Sequence, residues 1–182
     1  MCIRDSIGTI GVNLFKEKIL IIDYPSQQIA LLDSIPLQYK KLDTYIDISL
    51  DRRGRIHLPI NINGISKNVL FDTGSSMFPL MTSSDNWQKY TNGIKQDSVL
   101  TSTWGNYYYT YAANSKNVSI GNRALSDKRV FDAPYLNDFF EQENIWGIMG
   151  NAHFFEDLVV IDFKNLKFGW IKNSNKRNVE RE

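Results

Sequence analysis

Asp72 stands where a buried strand should stay apolar. It closes the run Val69-Leu70-Phe71 and leads into Thr73, Gly74 and Ser75 in the stretch VLFDTGSSMFPL. Burying a lone carboxylate without partners costs several kcal/mol, so an acid at the end of such a strand, with Gly74 available for a tight turn, is either heavily hydrogen-bonded or chemically used. Other candidate groups offer less. A serine nucleophile at Ser75 or Ser76 needs a base, and the two histidines, His57 and His153, come without a G-x-S-x-G elbow. His153, Glu156 and Asp157 share helical spacing and could gather on one face, but two histidines in the chain fall short of a zinc set. No metal or other cofactor is expected. Asn117-Val118-Ser119 fits a glycosylation acceptor, a triplet that matters only in a secreted eukaryotic protein. No glycine-rich phosphate cradle is present.

The chain that must hold Asp72 has 182 residues and a formal net charge of +1, enough for one globular domain, or one plus a fragment. Charge so near neutrality gives no electrostatic reason for a nucleic-acid partner, and the tail NSNKRNVERE mixes both signs. No apolar run approaches bilayer length. Cys2 is the one cysteine, so no disulfide framework or cysteine metal site exists. The opening MCIRDS (1–6) has no pattern linking it to the residues after it and resembles translated adaptor sequence. On that reading the true start lies upstream, and an extracytoplasmic location, periplasmic or secreted, is the expectation if a signal was lost with it; the compartment is otherwise undetermined.

A repeat organises the rest. IGTIGVNLFKEKILIIDYPSQQIALLD (7–33) aligns without a gap on WGIMGNAHFFEDLVVIDFKNLKFGWIK (146–172), matching Gly8 to Gly147, Gly11 to Gly150, Phe15 to Phe154, Glu17 to Glu156, Ile22 to Ile161 and Asp23 to Asp162. Each copy reads as a glycine-bounded apolar turn, a short helix, a strand, a turn and a closing strand. The segments divide as 7–33, the tail of a first unit; 34–44, a linker; 45–173, a complete unit; and 174–182, a polar tail. Within the complete unit the reading is mostly strand. RIHLPININ alternates, Asn63-Gly64 signals a hairpin, and KNVLF returns beside it. SVLTSTW and NYYYTYAAN flank Gly105 as the arms of a second hairpin. The fold class is all-β, with one or two short helices.

An apolar strand ending in FDTGSS, followed about one small domain later by Ile148-Met149-Gly150 and a short helix, resembles the aspartic peptidases. The order of parts is similar to that of the retropepsin-like aspartyl proteases found as tandem units in bacterial proteins. The resemblance implies an acid-protease β-barrel unit that hydrolyses peptide bonds in a peptide or protein substrate. In such chemistry one carboxylate takes a proton from water while another acid donates to the carbonyl oxygen, and two carboxyl groups sharing a site have their pKa values split. By resemblance Asp72 is one half of that pair. Gly74 lets its backbone N–H approach the carboxylate, Thr73 bonds across a pseudo-two-fold axis to its counterpart, and Ser75 donates to the carboxylate.

Asp23 and Asp162 lack the Thr-Gly that follows Asp72 and read as structural or turn acids. The second catalytic aspartate must then come from a first unit upstream or from a second copy of the chain. The resemblance also places a substrate-covering flap at Thr103, Trp104 and Gly105, where an ordinary surface hairpin with aromatic cross-strand pairs is an equal reading. The alternative for the whole chain is a non-catalytic module that keeps the fold and binds peptide or dimerises.

Overall fold

The computed structural model describes residues 10–40, 42, 44–103 and 106–172, with backbone alone at 102, 103 and 106. Among these residues the chain is all-β with two short α-helices, as the sequence indicates. A 3-10 turn over Val12–Phe15 leads into a hairpin of β1 (Ile19–Asp23) and β2 (Gln28–Leu32), and β3 (Ile46–Asp47) follows. The middle of the chain runs through β4 (Ser49–Leu50), β5 (Ile56–Ile62), β6 (Ile65–Asp72), β7 (Leu80–Thr82) and α1 (Ser84–Tyr90). It continues with β8 (Asp97–Thr103), β9 (Asn106–Asn114), β10 (Val118–Ile120), β11 (Arg123–Ala124), β12 (Arg129–Asp132), α2 (Asn137–Gln142) and β13 (Gly147–Gly150). A 3-10 turn over Asn151–Phe154 then enters the hairpin of β14 (Asp157–Asp162) and β15 (Lys167–Lys172).

Two compact units result. One comprises Ser49–His153; the other joins Gly11–Ile48 to the segment from Phe154 onward. The hairpin β14–β15, which closes the sequence segment 45–173, thus groups with β1–β3.

The larger unit is one sheet of ten strands. Its path is β11-β10-β5-β6-β13-β7-β12-β9-β8, with β4 also paired to β5. β5 buries Ile56, Leu58, Ile60 and Ile62, the two-residue period of a strand with one inward face. Asn63 and Gly64 both take positive φ, 53° and 86°, which suits the tight hairpin turn into β6. At its far end β6 passes from an exposed start at Ile65 and Ser66 to a continuous buried run, Val69, Leu70 and Phe71. The reason is position: β5 lies on one side and the parallel strand β13 on the other, and strands deep in such a sheet carry apolar side chains on both faces. Leu70, Phe78, Met81, Phe131, Phe140 and Ile148 form the core there. α1 is capped by Ser83, whose hydroxyl accepts the Asn86 N–H, and Trp87 anchors it by donating to the Val130 carbonyl at 2.9 Å.

The smaller unit has the strand order β2-β1-β14-β15-β3. The repeated segments carry the same elements at matched positions. The 3-10 turns Val12–Phe15 and Asn151–Phe154 correspond residue for residue, although each is a 3-10 turn and not an α-helix. β1 falls on the last five residues of β14, β2 falls on the first five of β15, and the matched turn residues Gln27 and Leu166 share a φ of 54°.

The copies also meet symmetrically. Ile21 pairs with its own equivalent, Val160, while Ile19 faces Asp162 and Asp23 faces Leu158, so a local two-fold axis passes through the β1·β14 pair. Ile19, Ile21 and Val160 lie at the centre of the unit's core, with Ala30, Leu32 and Tyr45 packed on them.

Gly169 of β15 packs directly against Tyr45. A Cβ added there would lie 2.5 Å from the Tyr45 ring, whose hydroxyl donates to the Tyr39 carbonyl at 2.9 Å. Burial pushes the Tyr45 phenol up to about 12, helped by the Asp162 charge. Gly169→Ala should therefore displace the ring and cost about 1–3 kcal/mol, read as a lower urea midpoint; a midpoint equal to that of the parent chain would contradict this packing.

Candidate functional site

The buried end of β6 delivers Asp72 to the surface. Val69 is 0% exposed, whereas Asp72, Thr73 and Gly74 are all exposed. One turn holds the carboxylate. Its Oδ1 accepts the Gly74 backbone N–H at 2.8 Å, and the Ser75 N–H closes the turn on the Asp72 carbonyl at 3.1 Å. Ser75 does not act as the resemblance implies: its side chain is buried, and its Oγ has no hydrogen-bond partner among the described residues. The hydroxyl lies under the turn, so the polar contact to Asp72 comes from Gly74.

Ile148, Met149 and Gly150 are brought directly to this turn. β13 runs parallel to β6 with Ile148 opposite Leu70, Met149 opposite Phe71 and Gly150 opposite Asp72. Gly150 must be glycine. A Cβ there would sit 1.8 Å from the Ser75 carbonyl oxygen and 2.4 Å from that of Phe78, both of them backbone atoms. Gly147 meets the same limit against the Met81 carbonyl, at 2.1 Å. The two glycines thus let β13 press between β6 and β7, with which it pairs on either side.

Asn151, which sequence reasoning missed, fixes the loop from the other side. It is 6% exposed, and its Nδ2 donates to the Thr73 carbonyl at 3.0 Å. Its only sequence signal is a polar residue directly after Gly150, where the matched copy has Val12.

Thr103 ends β8 and pairs with Asn106 at the tip of the β8–β9 hairpin, while Trp104 and Gly105 lie outside the described residues. Farther down, Tyr108 stacks on Tyr135 with ring centroids 4.6 Å apart. Asp23 and Asp162 are turn acids: Asp23 Oδ1 accepts the Ser26 N–H, and buried Asp162 accepts the Lys164 and Asn165 N–H groups and the Asn165 side-chain amide. Among the described residues no group of three His, Cys, Asp or Glu side chains is placed to hold a metal ion. His57 Nε2 lies 3.7 Å from Asp51 Oδ2, beside an ion-pair chain in which Arg55 bridges Asp51 and Glu143.

His153 follows Asn151 in the same 3-10 turn. Its Nε2 is buried without a hydrogen-bond partner among the described residues, and its carbonyl accepts from Arg123 at 3.0 Å. Burial lowers its pKa to about 4; the Asp127 charge opposes this, and the Arg123 and Arg129 charges add to it.

No family model and no curated protein matches the chain. Among solved structures it is similar to the crystal structure of a retropepsin-like aspartic protease from Rickettsia conorii, with 20% identity over 62% of this chain and 81% of that one, at a TM-score of 0.40. It is also similar to Basic 7S globulin from soybean, with 12% identity over 87% of this chain and 51% of that one, at a TM-score of 0.43. Conglutin gamma, a basic 7S globulin from lupine seeds, gives 12% identity, 88% and 52% coverage and a TM-score of 0.41. The chain spans about half the length of each seed globulin.

Two outcomes are expected of the site. Gly150→Ala should push the Ser75 and Phe78 carbonyls apart and destabilise the fold by roughly 1–3 kcal/mol or more, read as a loss of thermal midpoint; an unshifted midpoint would contradict the close approach. His153 sets a pH dependence. Its folded pKa of about 4 lies below the unfolded value, so between the two the unfolded chain binds more protons. Stability should hold above the unfolded pKa, near 6.5, and fall as the pH drops towards 4, by up to about 3 kcal/mol. His153→Gln should flatten that slope in urea titrations, and an identical slope in the variant would exclude His153 as its cause.

Proposed function

We propose that the chain supplies Asp72 as one half of a two-aspartate site that hydrolyses peptide bonds, in the manner of the retropepsin-like aspartic proteases its motifs resemble. The observation that supports this best is the setting of Asp72. A carboxylate leaves the end of a buried strand, takes the Gly74 N–H at 2.8 Å and lies in register with Gly150. Asp162, by contrast, is 1% exposed and saturated by its own turn. Asp72 keeps an open face.

In the proposed reaction one aspartate is ionised and draws a proton from the attacking water, and the other is protonated and donates to the carbonyl oxygen of the scissile amide. Both states coexist because two carboxyl groups a few Å apart cannot both ionise. The partner carboxylate belongs to a second unit of the same kind, either upstream in a longer protein or in another copy of the chain. Gly74 holds the carboxylate, and Thr73, fixed by Asn151, sets the height of the loop. The segment around Thr103, Trp104 and Gly105 is assigned to cover the substrate.

Asp72→Asn tests the proposal, because the amide is nearly isosteric but can neither take nor give the proton. In the paired protein, peptide hydrolysis should fall by at least about 100-fold while the circular dichroism spectrum is unchanged. The parent activity should follow a bell-shaped pH profile whose two apparent pKa values belong to the pair. Hydrolysis that survives the substitution would exclude Asp72 as a catalytic residue. A paired parent protein that binds peptide without cleaving it, and whose Asp72→Asn variant binds equally well, would instead assign the chain to the non-catalytic binding class.

A further inference from the structure

The β8–β9 hairpin outruns the sheet that carries it. β9 pairs with β12 through Asn114, Ala113 and Ala112 and no farther, whereas its pairing with β8 continues from Ala112 to Asn106. Past Ala112 each arm of the hairpin thus has the other arm as its one strand neighbour among the described residues. An isolated two-stranded hairpin is marginally stable at best in water, so a side-chain contact has to hold the projecting part. The outward face does not supply it, since Tyr107, Tyr109 and Leu100 are exposed at 73%, 64% and 53%. On the inward face Ala112, Thr110 and Tyr108 of β9 stand opposite Asp97, Val99 and Thr101 of β8. Ala112 and Thr110 are fully buried, and Val99 packs on the core that contains Phe131 and Ala133. Tyr108 is the next inward residue, and its ring lies on that of Tyr135, 21° from parallel.

Tyr135 stands where β12 would have continued the pairing. The antiparallel register that sets Phe131 opposite Ala112 sets position 135 opposite position 108, four residues farther along each strand. The ladder has ended by then. The Ala133 N–H donates to the Thr82 carbonyl at 3.0 Å and the Leu136 N–H to the Ala133 carbonyl at 2.9 Å, which turns the chain away from β9 and into α2. The ring contact takes over where the backbone contact stops. Tyr135 itself is firmly seated, because the residues around it are tied to the start of α1: Ser84 Oγ donates to Asp132 Oδ1 at 2.7 Å, and the Ser84 N–H donates to Asn137 Oδ1 at 3.4 Å. Phe140, one turn farther on, is buried in the core.

We propose that Tyr135 is a positioning residue for substrate: through its stack on Tyr108 it fixes the two arms of the hairpin at Thr101 and Tyr108, and so sets how firmly a peptide is held beside Asp72. The consequence for substrate rests on the reading of Asp72 given above; the anchoring of the hairpin does not. The flat ring face carries the role. Phenylalanine at position 135 keeps that face, whereas leucine, of similar apolar character, loses it.

Amide hydrogen exchange of the whole chain tests the anchor without reference to activity. Tyr135→Leu should speed exchange at 99–101 and 107–109 at least about tenfold while leaving β5 and β6 unchanged, and Tyr135→Phe should match the parent. Tyr108→Leu should reproduce the effect, and the double leucine variant should add little to either single change, because both remove the same contact. The second arm uses the paired protein and a peptide library, reading KM where peptide is cleaved and Kd where it is bound without cleavage. Tyr135→Leu should raise that constant at least about fivefold with any kcat kept within about twofold, and Tyr135→Phe should restore it. Because the arm reads binding as well as turnover, hydrolysis that survives Asp72→Asn would overturn the catalytic assignment alone. Hairpin exchange unchanged in Tyr135→Leu, or acceleration spread equally through β5 and β6, would overturn the anchor. Faster hairpin exchange with an unaltered KM or Kd, or a paired protein that takes up no peptide, would overturn the positioning role.

Discussion

The close approach of β13 to the turn after β6 is the constraint on which the rest of the larger unit depends. Without a side chain at Gly150, backbone can meet backbone at the Ser75 and Phe78 carbonyls. The parallel pairing from Gly147 to Gly150 follows, and so does the continuous burial of Val69, Leu70 and Phe71. Burial of that run is what makes Asp72 conspicuous. The turn that receives it supplies a backbone donor at once.

The site is built mainly from backbone. Gly74 N–H holds the carboxylate, and the Thr73 carbonyl is gripped by one amide from Asn151. Meanwhile two buried polar atoms, Ser75 Oγ and Asn151 Oδ1, have no hydrogen-bond partner among the described residues. Buried polar groups of this kind are uncommon in folded proteins.

The features legible in the sequence were local. FDTGSS and the Ile148-Met149-Gly150 run stand out because their residue types are wrong for plain strands. Asn63-Gly64 announces its hairpin through a turn chemistry that few other residues share. The repeat is visible because paired glycines and apolar positions match without a gap, and the structure keeps the turn geometry as well, down to the shared φ of Gln27 and Leu166. The features that escaped notice depend on tertiary neighbours or on short-range signals too weak to separate from loop. α1 has its Ser83 cap and buried Trp87 and Tyr90, but only seven residues. Asn151 reads as a polar residue after a glycine until Thr73 is placed beside it. Arg55 and Glu143 are 88 positions apart in sequence, and no spacing rule connects them. The Ser75 hydroxyl went the other way: the residue type fitted a donor role, but the turn buried it.

The two-fold pairing of β1 with β14 has a consequence for the order in which the chain folds. Between these strands lies the whole of Ser49–His153, a contiguous segment that forms its ten-stranded sheet from its own residues. Joining β1 to β14 closes a loop around that segment, and contacts of such long sequence separation are slow to form because ordering must precede their reward. If the intervening segment collapses first, it draws the ends together and reduces the chain entropy lost on closure. The five-stranded sheet is then the last part to assemble and the first to open, a late latch whose register reports whether everything between its strands has already folded.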